Sequence, residues 1–196
     1  MKKKVKKSQS KLSQIYKDSF VGIKEAKNYI LFITGLMFLS VIIGYLFPIF
    51  FVDAIQKILK EMIEKFIGLS TGQTIIMIFW NNLGAGFLSI ALGIIFGIFP
   101  IASAIINGYL IGYVMNLAVS QGGILTLWRL FPHGIFEIPA ILISMGIGLQ
   151  LGVNIISKKE IFKKKLSTAI KIFISIVVPL LVIAGIIEGL LIGLSA

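Results

Sequence analysis

The sequence predicts an all-α, polytopic membrane helix bundle of about five transmembrane helices plus amphipathic interfacial helices. Three observations carry the prediction. Apolar residues fill 57% of 196 positions against 14% charged, with a mean hydropathy of +0.99, and a water-soluble domain has nowhere to hide that much apolar surface. The apolar residues gather in runs long enough to cross hydrocarbon. The net charge of +11 sits mainly in two lysine blocks flanking those runs, as expected when Lys and Arg stay on the cytoplasmic side. This explains the charge better than nucleic-acid binding does, and no nucleic acid is expected. The chain has no cysteine, which excludes disulfides, thiolate catalysis and Cys-based zinc sites.

Residues 1–29 form a basic cytoplasmic segment. Lys2, Lys3, Lys4, Lys6 and Lys7 precede Leu12, Ile15, Tyr16, Phe20, Ile23 and Ala26 at roughly helical spacing. The pattern fits an amphipathic helix on the anionic inner leaflet or a charged tail. The remainder, 30–196, reads as a single transmembrane domain whose first span, 30–50, runs outward. Residues 53–67 then place Ile55, Ile58, Leu59, Met62, Ile63, Phe66 and Ile67 on one helical face and Asp53, Lys57, Lys60, Glu61, Glu64 and Lys65 on the other. This predicts an amphipathic outer helix, covering its own bundle or docking a partner.

The apolar run from Thr74 to Val119 is too long for one crossing. A break at Pro100 gives spans of about 74–98 and 101–119 with a tight cytoplasmic turn. The run 124–157 would reach about 51 Å as one helix. Breaking it at Phe131-Pro132 leaves a short interfacial or re-entrant segment, 124–131, and a span of about 132–156, with Pro132 at the first helical position and Pro139 bending the helix. Lys158, Lys159, Lys163, Lys164 and Lys165 close that span inside. A fifth span, 172–195, bends at Pro179. Parity puts the N-terminus in the cytoplasm and the C-terminus outside, in the cytoplasmic membrane.

Close helix packing is expected where glycines stand four apart: Gly93/Gly97, Gly108/Gly112, Gly148/Gly152, Gly185/Gly189 and Gly189/Gly193, with Gly68/Gly72 in the outer loop. The pairs predict a compact bundle and leave homo-oligomerisation open. Asn81, Asn82, Asn107 and Asn116 must face helices or water rather than lipid. Each alone reads as interhelical glue of about 1 kcal/mol; together they permit a polar cavity.

The candidate functional centre is the run Arg129 to Pro139, which carries the only arginine and the only histidine of the chain, and Glu137. Ionisable groups at membrane depth are costly unless paired or wetted, so they mark candidate sites. His133 and Glu137 stand one helical turn apart, Arg129 can pair with the same carboxylate, and Glu188 on the last span lies at comparable depth. A structural polar knot is the favoured reading. A relay or binding site for protons, ions or a lipid headgroup comes second. A metal site from His133, Glu137 and Glu188 comes last, with one histidine and no thiol to serve it. No G-x-S-x-G elbow and no phosphate-cradling loop is present, so neither catalytic residues nor a cofactor or metal is expected.

The residues Leu130-Phe131-Pro132-His133-Gly134-Ile135-Phe136-Glu137-Ile138-Pro139-Ala140 resemble the P-H-G-x-x-E-[LI] signature of the stage II sporulation protein M family. Asn82, Asn107-Gly108 and the stretch from Pro179 to Glu188 resemble it in the same order, so the likeness covers about residues 20–195. It implies a multi-pass membrane protein without known catalytic activity. In endospore formers the family member is a membrane scaffold of the engulfment complex, assembled with two peptidoglycan-remodelling proteins that do the chemistry. Relatives in organisms that do not sporulate, archaea included, have no determined role. The expected function is a non-enzymatic scaffold or assembly factor, with the lipid bilayer and other membrane or envelope proteins as partners. The alternative is a small transporter or channel component for ions, protons or lipid, built on Glu137, His133, Glu188 and the Asn cluster. The candidate centre thus comprises Arg129, Pro132, His133, Gly134, Glu137, Glu188, Asn82 and Asn107.

Overall fold

A computed structural model describes the backbone of residues 2–195 and the side chains of residues 11–127 and 134–187. Among the described residues the chain is all helix and turn, with no strand. Helix α1 (Lys2–Leu46) is followed by α2 (Val52–Phe66), α3 (Thr71–Gly93), α4 (Ile98–Gly122), a 3₁₀ segment (Ile124–Leu130), α5 (Phe131–Val153), α6 (Lys159–Ile172), a π-turn (Phe173–Val177) and α7 (Val178–Ser195). Among the described residues five stretches are long and apolar enough to cross a membrane: Lys11–Leu46, Thr71–Gly93, Ile98–Gly122, Gly134–Val153 and Lys159–Ile187. Many of their outward positions are apolar, as lipid requires; Leu31, Phe32, Phe38, Phe87, Ile106 and Ile174 are all exposed.

Helix α5 is the axle. It packs against α3, α1 and α7, while α1 lies along α4 and, at its basic end, against α6. Residues 144–152 are buried without interruption, Ser144 and Leu151 completely. Glycines make this possible: a Cβ at Gly148 would run into the Ser89 carbonyl, and one at Gly152 into the backbone of Gly93 and Gly97. The α1/α4 contact works the same way, since side chains at Gly108 and Gly112 would strike the Met37 and Val41 carbonyls.

Several boundaries differ from those the sequence predicts. The chain turns at 94–97, not at Pro100. Phe96 (φ 51°) and Gly97 (φ 71°) take left-handed conformations there, and Pro100 lies in the first turn of α4, where a missing N–H costs nothing. Gly93/Gly97 is therefore a turn, not a pair along one helix. The basic segment is continuous with the first span, since α1 is unbroken through 45 residues from Lys2 to Leu46, about 67 Å of helix. The basic block is helical from Lys159 onward and runs through the π-turn into α7. The widened turn ends where Pro179 offers no N–H to the residue 175 carbonyl, and the Val178 N–H reaches back to Phe173. Helix α5 starts at Phe131, which makes Pro132 its second residue.

Polar side chains close the ends. Ser70 and Gln73 form a reciprocal capping box at the start of α3. The Tyr109 hydroxyl donates to the Phe47 carbonyl (2.8 Å) and accepts the Phe50 N–H (3.1 Å), holding the α1–α2 turn in which Phe51 has a positive φ. The Asn116 amide donates to the Tyr45 carbonyl (2.9 Å), which supports the interhelical-glue reading for that asparagine.

Candidate functional site: a hollow beneath α2

Helix α2 barely touches the rest of the molecule. Its apolar period prescribes one greasy face, yet only Ile55 is buried; Ile58, Met62 and Ile63 remain exposed. It roofs rather than covers the bundle. A cavity of about 860 Å³ lies beneath it, and its polar lining is Lys65, Asn81, Asn82, Asn107 and Glu137. Met62 and Phe66 of α2, Trp80 of α3 and Ile111 of α4 supply much of the apolar wall.

Each polar group has a structural reason to be there. Asn82 lies at mid-helix in α3 with 9% of its surface exposed and accepts a long contact (3.4 Å) from the Asn81 amide. One turn of α4 fixes Asn107, whose amide nitrogen donates to the Ser103 carbonyl (2.8 Å) and hydroxyl (3.1 Å). Glu137 is half-buried on α5 and already engaged in a polar interaction. Gly134, one turn earlier, faces a second cavity of about 360 Å³ whose lining is wholly apolar: Ile111, Met115, Leu127, Ile135, Ile138 and Pro139 complete it. Pro139, inside the helix, cannot donate to the Ile135 carbonyl, and the two residues flank this slot. Ile111 belongs to both cavities.

Of the candidate centre, three members, Asn82, Asn107 and Glu137, thus meet in one cavity, with Gly134 beside it. Arg129 lies in the 3₁₀ segment, Pro132 and His133 in the first turn of α5, and Glu188 in α7; their side chains lie outside the described residues. Among the described residues no group of three or more His, Cys, Asp or Glu is placed to hold a metal ion. Sequence reasoning missed Lys65, Met62, Phe66 and Trp80 as wall residues. Periodicity assigns the faces of α2 but not how far it stands off the bundle.

The family model for stage II sporulation protein M matches residues 28–191, a stretch containing the Pro132-His133-Gly134 and Glu137 signature. An uncharacterized protein of Methanocaldococcus jannaschii is 28% identical, over 83% of this chain and 80% of its own length. No solved structure matches. With five helices fit to cross a membrane and a family match over most of its length, this multi-pass membrane protein belongs to the stage II sporulation protein M family.

Proposed function

We propose that the protein is a non-enzymatic scaffold or assembly factor of the cytoplasmic membrane that holds partner membrane or envelope proteins. The supporting observation is α2, an amphipathic helix on whose apolar face Ile58, Met62 and Ile63 stay exposed. A partner helix laid on such a face reads it through i, i+4 anchors. In this proposal the end carrying Lys11 to Lys27 and Lys158 to Lys165 faces the cytoplasm, and α2 and the end of α7 lie outside. A labelled cysteine replacing Ile161 is then reachable from the cytoplasmic side alone.

Co-purification from native membranes in mild detergent tests the scaffold role. Stoichiometric companions are expected, and Ile63→Lys should release them while the chain stays inserted. The cavity favours a second reading, a transporter or channel component using Asn82, Asn107 and Glu137. If the purified protein in liposomes moves ions or lipids at a rate abolished by Glu137→Gln, the transporter reading replaces the scaffold.

A further inference from the structure

We propose that two copies of the chain pair through α2, with the two helices side by side and antiparallel about a twofold axis normal to the membrane. The inference deepens the scaffold reading, and rests on its account of α2 as a docking helix; it names a second copy as what docks there.

The surface is a groove with a charged rim. Leu59, Lys60, Ile63, Glu64 and Ile67 stand at i, i+1, i+4, i+5 and i+8, one stripe along the side of α2. With Leu117 of α4 they line a hollow of about 440 Å³, which shares no lining residue with the one beneath the helix. Ile63 is 62% and Ile67 73% exposed. Lys60 and Glu64 meet at 4.0 Å with both side chains largely exposed, and such a pair changes partners at little cost. A hydrocarbon chain would cover the isoleucines but give neither charge a partner.

Symmetry supplies the occupant. Copies in one membrane share one topology, so a closed pair is related by an axis along the membrane normal. A 15-residue helix with charge on every turn is too short and too polar to span hydrocarbon and lies along the interface. The axis then sets it antiparallel to its copy, and in that arrangement the stripe matches itself. Residue 63 lies midway between 59 and 67, so one register puts Ile63 against Ile63 of the second copy and Leu59 against Ile67 on both sides. The same register brings each Lys60 within about 3 Å of level with Glu64 of the second copy, inside the reach of the two side chains. A parallel pair would instead set Lys60 against Lys60 and Glu64 against Glu64.

The natural chain has no cysteine, so disulfide trapping of the full chain in native membranes tests the contact. Ile63→Cys should cross-link on mild oxidation at least about tenfold faster than Ile58→Cys, about 140° round the helix from it. On the Ile63→Cys background, Lys60→Glu or Glu64→Lys alone should cut trapping about threefold or more, because each sets like charges together across the contact. The two combined should restore it. Equal trapping at the two positions, indifference to the charge reversals, or a combined variant as low as the single ones overturns the proposal. Companions that co-purify with a chain not trapped at residue 63 also overturn the pairing while leaving the scaffold in place; trapping without companions does the reverse.

Discussion

The two halves of α5 face opposite requirements. From Ser144 to Gly152 the helix is sealed: glycines let α3 come to backbone contact, and Gln150 donates to the Glu25 carbonyl of α1 (3.2 Å). From Gly134 to Pro139 it borders two cavities, and Ile135 and Ile138 are exposed. Lipid tails are as apolar as leucine, so no hydrophobic effect pulls helices together, and close packing must do it. The sealed half therefore holds the bundle, and this leaves the other half free to stand open. Asn82, Asn107 and Glu137 gather at the open half, where the cavity gives them room.

Breaking the sealed half should have the largest effect. Gly148→Leu forces a side chain into the Ser89 carbonyl, where the obstacle is backbone and cannot swing aside. Assembly should fail, or stability should fall by about 3 kcal/mol or more. At the open half, Gly134→Ala meets only the flexible tip of Ile138, at 3.3 Å, and should stay within about 1 kcal/mol of the natural protein. Thermal unfolding of the purified protein in detergent reads both. Equal losses would erase the distinction between the halves.

Solvent access sharpens the same contrast. The chain lacks cysteine, so a single one reports its own surroundings. Asn107→Cys should react with a polar, membrane-impermeant thiol reagent on the order of tenfold or more faster than Ser144→Cys, whose site is fully buried and opens only by local unfolding. Comparable rates would mean that the hollow beneath α2 admits no water.

The sealed half was the legible one. Gly148/Gly152 and Gly108/Gly112 announce close approach in the sequence, because a four-residue glycine spacing has one common use in membrane helices, and both pairs lie at backbone contacts. Gly93/Gly97 also lies at a backbone contact, with α5, but a spacing cannot say whether a helix continues: α3 ends at Gly93 and the left-handed Gly97 caps the start of α4. Asn82, Asn107 and Glu137 were legible as costly polar groups, but their meeting in one cavity depends on the register of α3, α4 and α5. The distance of α2 from the bundle was invisible, because an amphipathic period states that a face is greasy and not what covers it.

Within the sealed end a buried hydroxyl pair predicts a moderate effect. Ser19 and Ser175 meet at 2.9 Å, joining α1 to the π-turn. Ser175→Ala should lower stability by about 1 kcal/mol, and Ser19→Ala on that background should add little, because the pair is lost with either partner. Additive losses in the double variant would show that each hydroxyl is held by something other than its partner.

The smallest effect belongs to the ion pairs that clasp α1 to α6 at the basic end. Lys165 reaches Glu25 at 2.6 Å and Lys171 reaches Asp18 at 2.7 Å, and all four side chains keep contact with solvent. Water screens such pairs, so Glu25→Gln should cost about 0.2–1 kcal/mol. The Glu25 main-chain carbonyl still accepts from Gln150 in that variant, which keeps the loss electrostatic. Asp18→Asn should cost less again, and both differences should shrink as salt rises toward molar concentration, where the screening length falls to about 3 Å. A loss from Glu25→Gln that rivalled Gly148→Leu and ignored salt would mean that charge, rather than glycine-mediated backbone contact, holds the closed end. The contrast between the two halves of α5 would then need a different cause.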